Sequence, residues 1–438
     1  MAPHYSARAQ GGANGSKVLG LLRISCISAL LAAVSGGAAA QPAPGSVAPG
    51  AVALVADRTC SALAARVDAV PGGVPVLLRS WDGAAGSGPP AEPALAGAAF
   101  TYDNALAAIA LVACGRLAQA GRVGAALLAA VSADRSGRVG RIRNAYRAGA
   151  QGAPPLPPNG WWDAVAGRWA EDATQVGTAT GNVAWAGLAL LTLGQATGEA
   201  RWREGAERLA RWAVETEADS AGPGGFGGGI VGYDDAPRPA GWKSTEHNAD
   251  LAALFGWLAR TDPRWRGPER AARAFLAAMW QDADGRFLLG TLPDGRSPNR
   301  AGSGLDAQLW PLLLPAAPAA WRRATLWVER RHGVAGGFDF NDDRDGLWVE
   351  GTAQAALVWR TLGRGAQAAS LFATLAGQAS PGGYLWATRE AVVTTGLALG
   401  PASTTADFVY RRRPALAATA WAALAALGWN PFTGAHSP

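Results

Sequence analysis

Lysine is nearly missing from this chain of 438 residues: only Lys17 and Lys243 occur, and every other basic side chain is arginine. The arginines are scattered and form no basic block with interleaved aromatics, which argues against a nucleic-acid partner. Charged residues are also sparse, at 16% against 49% apolar, so the chain is not disordered and has ample material for a core. Three cysteines, Cys26, Cys60 and Cys114, are too few for a disulfide-stapled scaffold. Of four histidines only His247 sits in a motif, and no second His or Cys stands at zinc-ligand spacing. No apolar run reaches the roughly 20 residues that span a bilayer. The Gly-rich PGGFGGGIVG lacks the Lys-Ser/Thr ending of a phosphate loop, and no serine stands in a G-x-S-x-G elbow.

Residues 1–40 are set apart. They hold Arg8, Lys17 and Arg23 with no acid, then an apolar stretch around Ile27 to Val34, then Ala38, Ala39 and Ala40. That order of basic, apolar and small residues is expected of a secretory signal cleaved after Ala40, which makes the protein periplasmic or secreted. Three of the six net positive charges leave with it. Residues 41–56 are expected to be a linker, 57–432 a catalytic-type domain and 433–438 a tail. Export permits one disulfide between Cys60 and Cys114, and two buried thiols fit the sequence as well.

Two kinds of helical segment then alternate. In PERAARAFLAAMWQD, Ala272, Phe275, Leu276 and Met279 fall at i, i+3, i+4, i+7, with charges on the other face. Trp202, Ala206, Leu209 and Ala213 repeat that pattern. Other segments, such as GNVAWAGLALLTLG and ALAATAWAALAALG, are apolar nearly all round, which predicts burial on every side. Several end in a glycine suited to a left-handed cap: Gly115, Gly194, Gly363 and Gly428. Apolar helices are expected near 102–114, 181–193, 246–259, 305–314, 350–362 and 414–427. Amphipathic ones are expected near 57–69, 122–133, 200–214, 268–281, 318–331 and 365–377. Connections from apolar to amphipathic are short and those in the other direction long, rich in Gly, Pro, Trp and Asp. The expected architecture is all-α: an (α/α)6 toroid of six helical hairpins with inner and outer rings. A strand-like piece, 285–292, lies in one long loop.

Acids fall where long loops meet apolar helices: Asp103, Glu246, Asp250, Asp306 and Glu350. The plainer reading is electrostatic, since an acid in a first turn complements the helix dipole, and Ser303 with Asp306 fits a capping box. If the inner helices run parallel, however, these carboxyls converge on one mouth. Trp162, Trp242, Trp310 and Trp348 lie in or beside the same loops, where indole faces suit sugar rings. Trp185, Trp257 and Trp421 lie inside apolar helices and are expected in the core.

With FTYDNALA, KSTEHNAD, LDAQLW and WVEGTAQAAL, the chain from about Asp57 to Phe432 resembles the six-hairpin glycosidase superfamily, and exported bacterial proteins within it. In glucoamylase-like members the acid and base come from the loops that lead into the third and fifth inner helices, and those helices begin at Glu246 and Glu350 here. The resemblance implies a glycosidase cleaving a poly- or oligosaccharide by inversion, with Glu246 as acid, Glu350 as base and Asp103 as a further catalytic candidate. Lys243, His247, Asp250, Asp306, Trp242, Trp310, Trp348 and Trp162 are the expected substrate-binding residues, with Lys243 alternatively a salt-bridge partner and Asp250 an orienting group. A lyase or epimerase using His247 and Lys243, or a carbohydrate-binding protein of an export system, remains an alternative. The expected state is a monomer without cofactor or membrane span. Asp339, Asp343 and Asp345 in DFNDDRDG form the best calcium candidate, although no Glu stands at the twelfth position of a calcium loop.

Overall fold

Helices form where the two periodicities predict them. The computed structural model describes residues 50–82, 92–398, 405–406 and 408–437; the expected signal peptide and residues 41–49 of the expected linker lie outside these. In chain order the helices are α1 (Gly50–Asp68), the short α2 (Pro93–Ala96), α3 (Thr101–Ala113), α4 (Leu117–Ser132), α5 (Thr180–Thr197), α6 (Ala200–Glu217) and α7 (Thr245–Leu258). They continue with α8 (Arg266–Met279), α9 (Leu305–Leu309), α10 (Ala324–Arg331), α11 (Val349–Thr361), α12 (Gly365–Ala376) and α13 (Leu416–Leu427).

The apolar helices α3, α5, α7, α9, α11 and α13 each touch the next, and α13 returns to α3 to close a ring. Each of α4, α6, α8, α10 and α12 packs outside the inner helix that precedes it, and α1 packs outside α13. The sixth hairpin is thus closed by the two ends of the chain, and the fold is an (α/α)6 toroid. The outer helices bury one stripe, as in α8, where Ala272, Phe275, Leu276 and Met279 are the buried residues. Burying each of the three large ones contributes about 1.5 to 3 kcal/mol. Among the described residues, no helix is long and apolar enough to cross a membrane.

The structure corrects several expectations. Residues 50–56, expected in the linker, are the first turns of α1. The left-handed cap of α5 is Gly198, with φ 73°, because the helix runs on past Gly194 to Thr197. The fourth inner helix is cut short: after Leu309 it tightens to a 3-10 turn, Trp310–Leu313, because Pro311 has no N–H and its ring crowds the preceding turn. The segment 285–292 splits between two short pairings, Arg286–Phe287 with Trp280–Gln281 and Gly290–Thr291 with Pro298–Asn299. Cys60 and Cys114 are bonded, with Cα atoms 5.7 Å apart, which ties α1 to the end of α3.

One hydrogen bond recurs around the ring. The first N–H of each inner helix donates to a carbonyl in the neighbouring hairpin's loop: Thr101 to Asn144, Thr180 to Gly228, Thr245 to Leu289, Leu305 to Phe340, Val349 to Ala387 and Leu416 to Ser80, at 2.9 to 3.2 Å. A second set fastens five of the six inner helices, all but α5, to their own preceding loops through the fourth residue of the helix. Asn104, Asn248, Gln308, Thr352 and Thr419 accept the backbone N–H of Leu78, Phe226, Phe287, Phe338 and Leu385.

Opening the Cys60–Cys114 bond should lower stability by about 2 to 4 kcal/mol, since it releases a 54-residue separation in the unfolded chain. Thermal unfolding of Cys60→Ser, and of the native protein with and without reductant, checks this; equal midpoints would refute it.

Candidate functional site

Because the inner helices are parallel and start at one end, their first turns gather there. Asp103 on α3, Glu246 on α7, Asp306 on α9 and Glu350 on α11 each retain 6% exposure, so their carboxyl tips reach the mouth while the rest of each residue is buried. The N-termini of α3, α9 and α11 have no side-chain cap, and that of α7 is capped by Ser244, which accepts from the His247 N–H. Neighbouring loop carbonyls accept the first N–H of each helix instead, and of these acids only Asp306 also accepts a first-turn N–H, that of Ala307. The expected capping box at Ser303 does not form: its hydroxyl lies 2.8 Å from His332 Nε2 and accepts from Trp327 Nε1.

The carboxyls fall into two groups. Glu246 and Asp306 face each other side chain to side chain, which raises Glu246 and lowers Asp306. Burial, and then the neighbouring charges of Asp306 and Glu350, hold Glu246 well above the usual carboxylate range. Asp306 is pushed up to about 6 by burial, opposed by the Ala307 N–H it accepts at 2.8 Å. The pairing therefore favours a proton on Glu246 over one on Asp306. Across the ring, Glu350 Oε1 accepts the Tyr102 hydroxyl at 2.6 Å, and Tyr102 Oη in turn accepts Trp421 Nε1 at 2.8 Å. Burial raises Glu350 to about 7, while the Tyr102 hydrogen bond favours its charged form. A narrow cavity of about 10 Å³, lined by Ser80, Trp81, Asp103, Glu350 and Tyr410 among others, lies beside it. That is roughly the room one water needs.

Asp250 and His247 lie deeper, at 0% and 1% exposure. Burial and the Glu246 charge hold Asp250 well above the usual range. Both side chains press on the first turn of α5, where a Cβ at Gly181 would come within 2.6 Å of the His247 ring and 3.2 Å of Asp250 Oδ2. Both are thus enclosed where α7 packs on α5. Trp242 leans on the His247 ring, centroids 5.3 Å apart, and covers Gly228, where a Cβ would meet the indole at 2.6 Å.

The other expected binding residues are placed differently from one another. Lys243 is buried, its Nζ 2.9 Å from Asp219 Oδ2 and donating to the carbonyls of Ala221 and Asp219. It clamps the Gly-rich loop to the start of α7, which corrects its assignment as a substrate contact in favour of the salt-bridge alternative. Trp310 is enclosed by Tyr102, Trp185, Trp421 and Phe432, and Trp348 by Phe340 and Tyr410. The faces of Trp310 and Trp348 are covered by these rings, and Trp242, Trp310 and Trp348 are all buried. Trp162 stands on the hairpin Trp161–Asp163/Arg168–Ala170 at 62% exposure, opposite Trp169. Asp339, Asp343 and Asp345 do converge, one oxygen of each within 4.8 Å of the others. Each already accepts a protein donor, from Phe340 N–H, from Asn341 and Thr394 side chains, and from Thr394 N–H respectively.

Sequence reasoning missed Tyr102, next to Asp103 in FTYDN, and the indole of Trp421 behind it. The signal was present, since an aromatic hydroxyl in an otherwise apolar helix start must find a partner.

Solved structures share this architecture. A glycosidase in complex with glucose superposes with TM-score 0.58 at 16% identity, over 88% of this chain and 100% of that one. An alpha-amylase from Clostridium perfringens gives 0.56 at 8% identity, over 84% and 97%. A cellobiose 2-epimerase from Spirochaeta thermophila gives 0.57 at 14% identity, over 88% and 98%. These neighbours have the six-hairpin glycosidase-like fold, and at such identities the likeness is one of fold. No family model and no curated protein matches the chain.

Buried acids with raised folded pKa values bind more protons folded than unfolded, so their contribution to stability falls as pH rises from about 4.5 towards 7. Glu350→Gln should therefore stabilise the fold by roughly 2 to 3 kcal/mol at pH 8 and by little at pH 5. Denaturant midpoints at the two pH values test this; equal gains at both would contradict it.

Proposed function

We propose that the protein is an exported glycoside hydrolase acting on a poly- or oligosaccharide, with Glu246 as general acid and Glu350 as general base. The observation that carries this reading is the division of the carboxyls: one facing Asp306 and raised well above the usual range, one hydrogen-bonded to Tyr102 beside a cavity of one water's size. Hydrolysis with inversion needs a proton donor to the leaving oxygen and a carboxylate that takes a proton from the attacking water on the opposite side. Glu246 supplies the proton, replaced by solvent after each turnover. Glu350 removes one from water as the C–O bond breaks, and Asp103 positions that water from the other wall.

The Cys60–Cys114 bond and the leader pattern of residues 1–40 support export to an oxidising compartment, where the protein acts as a monomer. The alternative lyase chemistry asks for Lys243 beside His247. The lysine is held by Asp219 and the histidine is enclosed where α7 packs on α5, which weighs against it.

Product release from a panel of soluble polysaccharides tests the reading: Glu246→Gln and Glu350→Gln should each lose at least about 10³-fold with the fold retained, and the first-formed anomer should be inverted. Retained hydrolysis in both variants would overturn the assignment.

The pH profile provides a second check. Glu350 must be ionised, so kcat/KM should rise through about pH 7 and fall only where Glu246 loses its proton. Tyr102→Phe removes a hydrogen bond that favours the charged form, so the acid limb should move to higher pH; an unmoved limb would separate Tyr102 from the base.

A further inference from the structure

A larger cavity, about 270 Å³, shares no lining residue with the narrow one beside Glu350. It lies where the last turn of α1, the segment 77–82 and the loop that carries Tyr384 meet. Its polar lining is Arg66, Arg79, Asp82 and Tyr384, none of which the proposed hydrolysis uses. Arg66 is held in place: Nε donates to Asp82 Oδ2 at 2.9 Å, Nη2 donates to the same oxygen and to the Gly382 carbonyl, and the guanidinium lies 5.4 Å from the centre of the Tyr384 ring. Its Nη1 has no hydrogen bond among the described residues. Arg79 is exposed, and among the described residues its guanidinium makes no hydrogen bond, ion pair or ring contact.

Tyr384 is only 1% exposed, yet its hydroxyl has no hydrogen-bond partner among the described residues and is not one of the polar atoms sealed from solvent. After burial, the charges of Asp82 and Arg66 act on it most, which sets the hydroxyl beside the polar side of the cavity. A buried hydroxyl normally finds a partner, and here the cavity is the place for one. The charges around it do not cancel, since Arg66 and Arg79 against Asp82 leave one positive charge. A monoanion balances that, whereas a dianion such as phosphate would leave negative charge in excess close to Asp82. Guanidinium N–H groups in a planar fork match the two oxygens of a carboxylate, and such charge-assisted bonds are the stronger kind. The remaining wall is aliphatic, with Val70, Leu77 and Leu78. The volume falls a little short of the roughly 300 Å³ at which ligand pockets usually begin, so it admits one small ring and no polymer.

We propose that this cavity binds a small monocarboxylate about the size of one six-membered ring, with Arg79 and Arg66 Nη1 on the carboxylate oxygens and the Tyr384 hydroxyl as a further donor. Val70, Leu77 and Leu78 cover the body of the ligand. Two kinds of body carry this chemistry, a sugar acid and an apolar ring acid. The site stands apart from the acid and base and does not depend on the glycosidase reading.

Calorimetric titration of the full-length protein with glucuronate, cyclohexanecarboxylate, glucose and inorganic phosphate tests this. At least one of the two carboxylates should bind, about tenfold or more tighter than glucose and phosphate, and the one that binds identifies the body. Arg79→Gln should weaken that binding by about tenfold and Tyr384→Phe by roughly threefold or more, both with the fold retained. Arg79 is exposed, so its variant keeps the test open should the Tyr384 variant misfold. No binding of either carboxylate at about 10 mM, glucose or phosphate bound as tightly, or binding undiminished in Arg79→Gln would each overturn the site.

Discussion

The first N–H of every inner helix is satisfied by the backbone of its neighbour's loop, and the rest of the site depends on that arrangement. A helix start leaves orphan donors that an acid or serine in the first turn usually satisfies. Here a cyclic exchange of main-chain hydrogen bonds does so, with Ser80 serving α13 just as Asn144 serves α3. Asp103 and Glu350 need not cap their helices, while Asp306 also accepts the Ala307 N–H in the first turn of α9, and the helix dipoles still favour negative charge at that end. The same bonds fix the loops to the ring, so the mouth is rigid where the chemistry would take place.

Gathering these acids there has an energetic cost. Five carboxyls sit within a shell of tryptophans and tyrosines, and burial is the largest influence on each of them. In such surroundings not all can ionise, and the differences in partners decide which do. Glu246 faces Asp306, whereas Glu350 is offered the Tyr102 hydroxyl. Both are raised, Glu246 further than Glu350, and such a gap between two groups of one chemical type is what acid and base work at one pH would need. The buried indoles of Trp185, Trp310 and Trp421 stack edge-on and offset behind them, keeping the dielectric low and the carboxyls in place.

Much of the fold was legible because its signals are local. Helix periodicity marks Ala272, Phe275, Leu276 and Met279 as one face whatever lies against it, and all-round apolarity marks α5 and α13 as inner helices. The acids could be found too, since a charged residue at the start of an apolar helix stands out against its surroundings. Their partners could not. Lys243 looked available for substrate because the chain offers so few lysines, but its partner Asp219 lies across a Gly-rich loop, and no spacing announces that pair. Trp310 and Trp348 follow long loops as sugar platforms do, yet Pro311 and the neighbouring aromatics turn them inward.

Sequence alone thus determined the order of the twelve ring helices though not the short α2, which of them are inner, and which residues carry carboxyls to their first turns, because each follows from spacing along one chain. Tertiary structure decided the rest: that α1 and α13 complete a hairpin, that Cys60 meets Cys114, that Asp250 and His247 lie deeper than Glu246, and that Tyr102 reaches Glu350. All but the placing of Asp250 and His247 depend on pairs far apart in the chain, and proton affinity depends on what surrounds a group in space, which only closure of the ring defines.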